Sequence, residues 1–170
     1  MKKLNLFLIA LMCAALCFIG CKNPAGSRGE TPLDLSKPLG DWVVGTWDIA
    51  ETINTTTKIG NNEHVTSTKN SPGTVKFEGK EPTDTCVLTY EGEVDNSIKT
   101  VQDYIDSVSK ETLETYVNSL NMTLKQYTLT INSSNDVITC VVKIEGTETD
   151  DDVGTVSVSS TNVTKLTKQK

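Results

Sequence analysis

Five cysteines, one histidine and a crowded acidic stretch are the residues of this 170-residue chain with chemistry to offer. The cysteines stand at 13, 17, 21, 86 and 140, and no two form a Cys-x-x-Cys pair, so neither a redox dithiol nor a structural zinc site is indicated. His64 is the only histidine, which excludes a two-histidine metal site or a histidine triad with a spare partner within one chain. Glu145, Glu148, Asp150, Asp151 and Asp152 could gather oxygens around calcium. They lack the glycine and closing glutamate of an EF-hand loop and read as a solvated turn, so no metal is expected. Carboxylates are many, yet none stands out as set in an apolar frame that would raise its pKa above a neighbour's. No catalytic residue emerges, and a non-enzyme is expected.

Cys21 is the cysteine with a context. Lys2 and Lys3 precede an apolar run from Leu6 to Ile19, long enough for the core of a signal peptide and short for a membrane span. Phe18-Ile19-Gly20-Cys21 then resembles the lipobox of bacterial lipoproteins, in which a small residue precedes a cysteine that becomes the acylated first residue. Cys13 and Cys17 follow the bulky Met12 and Leu16 and fit that cleavage poorly. The resemblance implies a signal peptide over 1–20, diacylglyceryl and amide-linked chains on Cys21, no other cofactor, and a membrane partner. At about 0.8 kcal/mol per buried methylene, two or three such chains hold firmly. Lys22 stands where some bacteria place an aspartate to retain lipoproteins in the inner membrane, so the outer membrane is the expected address in the cell envelope.

Loss of 1–20 leaves 150 residues, enough for one core, and turns the net charge of −6 into −8 because Lys2 and Lys3 depart. Such a surface does not attract nucleic acid. Cys86 and Cys140 then remain as an even pair in an oxidising compartment, each in phase with apolar neighbours of a strand-like run. A disulfide between them and two separate buried thiols are both open. Residues 21–40, with Pro24, Gly26, Gly29, Pro32 and Pro38, read as the lipidated cysteine and a flexible tether. The folded domain is expected over 41–168.

Two-residue alternation marks eight strands in that domain. Trp47, Ile49 and Ile53 share one face of the first, with residues 54–62 as a turn. The second runs through 64–68, Pro72-Gly73 punctuates, the third covers 74–78, and the fourth carries Cys86, Leu88 and Tyr90. From 97 to 120 the period becomes that of a helix, or two helices, with Ser109 able to cap the second. The fifth strand carries Tyr127, Leu129 and Ile131, and the sixth Ile138, Cys140, Val142 and Ile144. Val156 and Val158 mark a seventh, and Val163 and Leu166 a short eighth. The 25 threonines favour strand. The expectation is a mainly β domain, a single antiparallel eight-stranded β-barrel or curled sandwich, with the helical segment inserted between strands four and five.

Gly45-Thr46-Trp47 at the first strand looks like the Gly-x-Trp that opens lipocalins and lipocalin-like domains of bacterial lipoproteins. In that family a basic residue from the end of the barrel crosses the tryptophan, which Lys165 or Lys168 could match. The resemblance implies a barrel whose floor Trp47 closes and whose interior holds a small apolar ligand. The expected function is therefore a lipid-anchored binding module for such a ligand. The alternative is a surface or envelope protein with a filled core that meets an envelope or host protein through its loops.

Overall fold

Trp47, Ile49, Glu51 and Ile53 all turn inward from one strand of fifteen residues. The computed structural model describes residues 30–60, 62–150 and 154–170, without the side chains of residues 62–65, 148 and 150. The expected signal peptide and Cys21 lie outside them. The elements are β1 (Glu30–Pro32), a 3-10 turn (Asp41–Val43), β2 (Gly45–Ile59), β3 (Asn62–Phe77), β4 (Cys86–Tyr90) and β5 (Glu93–Val94), then α1 (Val101–Ser107), α2 (Lys110–Ser119), β6 (Met122–Asn132), β7 (Val137–Asp150) and β8 (Gly154–Lys168).

The strands form one antiparallel sheet in the order β1-β6-β7-β8-β2-β3-β4-β5. The sheet is open, which corrects the closed barrel expected from strand count. Its edges are the three-residue β1 on β6 and the two-residue β5 on β4. Where a barrel would pair β4 with β6, the chain instead coils into α1 and α2. The start of β4 is tied to the start of α1 by the Thr85–Thr100 bridge, the Cys86 amide on Lys99 O at 2.9 Å and the Val101 amide on Asp84 O at 2.9 Å.

The eight observed strands are not the eight expected. Positions 64–77 form part of one strand, β3, with Pro72 and Gly73 inside it, and the strand ends one residue before the expected 78. The Pro72 carbonyl accepts from Glu91 N at 3.1 Å, on the β4 side, so the missing proline N–H faces the end of β4 and costs no bond to β2. The seventh and eighth expected strands are both β8, and β2 runs on through the expected turn to Ile59, reversing at Gly60. The additional strands are β1 and β5. Within the stretch read as tether, residues 30–40 pack on the domain: β1 pairs with Ile131 and its neighbours, Leu33 and Leu35 lean on the core, and Leu39 is buried.

The helical period resolves into two helices, each with a side-chain cap. Thr100 accepts from Asp103 N at 3.1 Å while Asp103 accepts from Thr100 N at 2.9 Å, a reciprocal capping box. Ser109 caps α2 through Thr112 N at 3.1 Å, as its position suggested. Val101, Tyr104, Val108, Leu113 and Val117 form the buried stripe, and it covers the inner face of the sheet. Tyr104 meets Phe77 edge-on with ring centres 5.2 Å apart, and Tyr127 donates to Val108 O at 3.3 Å. Asn121, at φ 56°, turns α2 directly into β6. Among the described residues no helix is long and apolar enough to cross a membrane.

Candidate functional site

The inner face of the sheet is apolar at one end and polar in its middle. At the apolar end Trp47 is wholly buried, with its indole N–H donating to Val43 O at 2.7 Å and Trp42 standing edge-on, ring centres 6.1 Å apart. Lys168 lies over the Trp47 ring, its Nζ 5.8 Å from the centroid, and donates to Trp42 O at 2.6 Å. Lys165 does not take that place. Leu166 points inward, so alternation sends Lys165 and Thr167 outward and returns Lys168 to the indole. Gly45 makes this crossing possible: its φ is +125°, and a Cβ there would sit 3.3 Å from Lys168 Cε.

One step along β2 from Ile49 the inner face turns polar. Glu51 is 2 % exposed, and Ser71, Ser160, Asn162 and Thr164 around it are buried too. The Glu51 carboxylate is met from both sides of the sheet: the Tyr90 hydroxyl of β4 donates to Oε2 and the Asn162 amide of β8 donates to Oε1. Thr164 Oγ1 donates to Asn162 Oδ1 at 3.2 Å, which fixes the amide so that its NH2 faces Glu51.

Tyr90 reaches Glu51 from two strands away because β3 has no side chain in between. A Cβ on Gly73 would lie 3.0 Å from Tyr90 Cδ2 and 2.7 Å from Thr89 O. At the rim, Ser71 Oγ donates to Glu91 Oε1 at 3.2 Å, and Lys69 pairs with the same oxygen at 3.2 Å. Burial pushes the Glu51 carboxyl above its ordinary 4.5, against the pull of the two hydrogen bonds and of Lys69 and with a small push from Glu91. All buried side-chain polar atoms among the described residues are hydrogen-bonded, so the cluster is closed on itself. Chemically it offers one titratable proton in a desolvated setting.

The other sequence candidates are dispersed. Cys86 and Cys140 are both buried, and no disulfide joins them. They sit on β4 and β7, with β8, β2 and β3 between those strands in the sheet. Burial, with Asp103 nearby, pushes the Cys86 thiol up to about 12, which makes it inert as a nucleophile. Glu145 pairs with Lys143 at 2.8 Å, while the side chains of Glu148 and Asp150, and residues 151–152, lie outside the described part. No group of metal-ligating side chains gathers among the described residues. His64 falls on β3, with its side chain outside that part.

Sequence reasoning missed Glu51, although its phase was on view. A strand with Ile49 and Ile53 inward must also turn residue 51 inward. Asn162 and Thr164 were hidden by reading Val163 and Leu166 as one strand pattern, although they have opposite parity. Compared with known proteins, the chain matches no family model, no curated sequence and no solved structure.

Proposed function

We propose that the chain is a lipid-anchored lipoprotein of the bacterial cell envelope, without enzymatic activity, held by acyl chains on Cys21 in the outer membrane, whose domain engages a protein partner through its surface. The observation that carries the surface reading is the filled interior. Trp47, Val75, Val101, Tyr127, Leu129 and Cys140 are each at most 1 % exposed, and α1 and α2 occupy the ground that an open barrel would leave to a ligand. An apolar ligand held inside needs a cavity of roughly 300 Å³ or more. The apolar cleft lined by Leu33, Leu39, Trp42, Phe77, Tyr104 and Leu166 has a volume of about 20 Å³, room for a water molecule.

The lipocalin-like resemblance is carried on in one respect. Trp47 under a crossing lysine is the arrangement Gly-x-Trp implies, here in a sheet that stays open. The test is native mass spectrometry of the full chain extracted from membranes in mild detergent, with labelled palmitate supplied to the cells. Label on the wild type and none on Cys21→Ser, together with a protein carrying no retained small molecule, supports the proposal. An unlabelled wild type removes the anchor, and a retained apolar ligand restores the binding-module reading.

A further inference from the structure

The outer face of the sheet, away from α1 and α2, carries a Thr-x-Asn on each of two neighbouring strands. Thr52 and Asn54 of β2, which alternate with the inward Glu51 and Ile53, stand directly opposite Asn70 and Thr68 of β3. Residues 68 and 70 share the parity of Pro72, whose carbonyl faces the β4 side, so their backbone groups point away from β2. Both pairs are thus the close, non-hydrogen-bonded kind, in which side chains meet across the strands.

In each pair the threonine donates to the asparagine: Thr52 Oγ1 to Asn70 Oδ1 at 3.0 Å, and Thr68 Oγ1 to Asn54 Oδ1 at 2.9 Å. The two amide oxygens are therefore engaged, and the NH2 groups are left as the free ends of two exposed side chains. Around them the face is apolar or balanced in charge. Ala50 stands opposite Pro72, both exposed, and Val163 of β8 lies between Thr52 and Val141 of β7. Lys76 pairs with Glu78 and Lys143 with Glu145, each at 2.8 Å, and Lys165 and Asp48 are of opposite sign.

We propose that Thr52, Asn54, Thr68 and Asn70 form a binding site for an uncharged glycan bearing acetamido groups, whose carbonyls accept from the two NH2 groups while its ring CH faces rest on Ala50, Pro72 and Val163. The site goes beyond the protein contact proposed above and depends neither on it nor on the anchor. Two fixed donors call for a ligand of acceptors, so a second copy of this face, which would bring NH2 to NH2, does not fit. A net charge of −6 disfavours a polyanion. The outward side chains of β2, β3 and β8 include no aromatic residue and no arginine, the anchors on which protein partners rely. An acetamido carbonyl only accepts, whereas a sugar hydroxyl also donates, and that selects the acetamido sugar.

The experiment is nitrogen-15 and carbon-13 NMR of the full chain in phosphocholine micelles, titrated with chitohexaose to about 10 mM, enough to populate a millimolar complex. The side-chain NH2 signals of Asn54 and Asn70 should shift together with the methyls of Ala50 and Val163. Affinity should fall about tenfold or more in Asn54→Asp/Asn70→Asp, which keeps an oxygen for each threonine and removes both outward donors. No shift at these residues, or equal binding by the double variant, overturns the site. Should that variant fail to fold, Asn70→Asp alone is read: a loss of about threefold or more supports the site, and no loss overturns it. Three further ligands test the chemistry. Cellohexaose bound as tightly overturns the acetamido assignment, polygalacturonate bound more tightly overturns the uncharged class, and hexaglycine shifting the same signals as strongly gives the face to a polypeptide instead.

Discussion

Lys168 lies across the indole of Trp47 and donates to the carbonyl of Trp42, so the last strand of the chain closes over the first residues of the domain's first long strand. Lys168→Met removes a charge-assisted hydrogen bond and the contact between cation and ring. It should cost about 1–3 kcal/mol in urea unfolding, while the outward Lys165→Met stays within about 0.5 kcal/mol of wild type. Equal effects would show that the crossing contributes nothing particular.

Trp47→Ala removes the largest fully buried side chain and should cost about 3–5 kcal/mol by the same measurement. A loss below about 1 kcal/mol would mean that the indole does not hold the end of the sheet together.

Gly73→Ala tests the path by which Tyr90 reaches Glu51. The added methyl meets the backbone oxygen of Thr89 at 2.7 Å and the Tyr90 ring at 3.0 Å, so both the β4 backbone and the ring must give way. A loss of about 1–3 kcal/mol is expected, and it should shrink when Tyr90→Ala is already present. Additive losses would argue against the shared space.

The pH dependence of stability carries a definite sign. Because Glu51 has a raised carboxyl pKa in the fold, both states hold its proton below its ordinary 4.5 and Glu51 adds no slope. From there up to the raised value the folded chain keeps a proton that the unfolded chain has lost, so stability falls as pH rises, then levels. Asp34, Asp41, Glu91, Asp103 and Glu145 act oppositely. Hydrogen bonds and ion pairs hold them below their ordinary values, and their contribution is lost on acidification. The difference between wild type and Glu51→Gln therefore isolates one group. It should be greatest near neutral pH and vanish in acid, and a difference that grows in acid would contradict the burial account.

Cys86 and Cys140 should resist alkylation in the native protein and react together on unfolding, since both thiols are buried and that of Cys86 is pushed up to about 12. Rapid native labelling of either, or a mass change on reduction showing a bridge between them, would contradict the structure.

Much of this architecture could be read from alternation. Trp47, Ile49 and Ile53 on one face, the return of the two-residue period after Tyr127, and Ser109 as a helix cap all stand as the spacing gave them. Closure could not be read, because whether β4 meets β6 depends on where the helices pack. Pro72-Gly73 misled because both residues usually break strands. Here a proline faces the end of β4 and a glycine makes room for a neighbouring ring, and each has a reason only once β4 is in place. Glu51 shows the opposite failure: its inward phase was implied by its neighbours, but that both its oxygens find donors depends on residues 39 and 111 positions away.

β8, which follows all the other strands in sequence, is also the strand between β7 and β2, near the middle of the sheet. Without β8, β2–β5 and β6–β7 are two ribbons with no backbone ladder between them, so the sheet becomes continuous only when this late segment is in place. A chain cut short before residue 154 should therefore lose the whole fold rather than one edge of it.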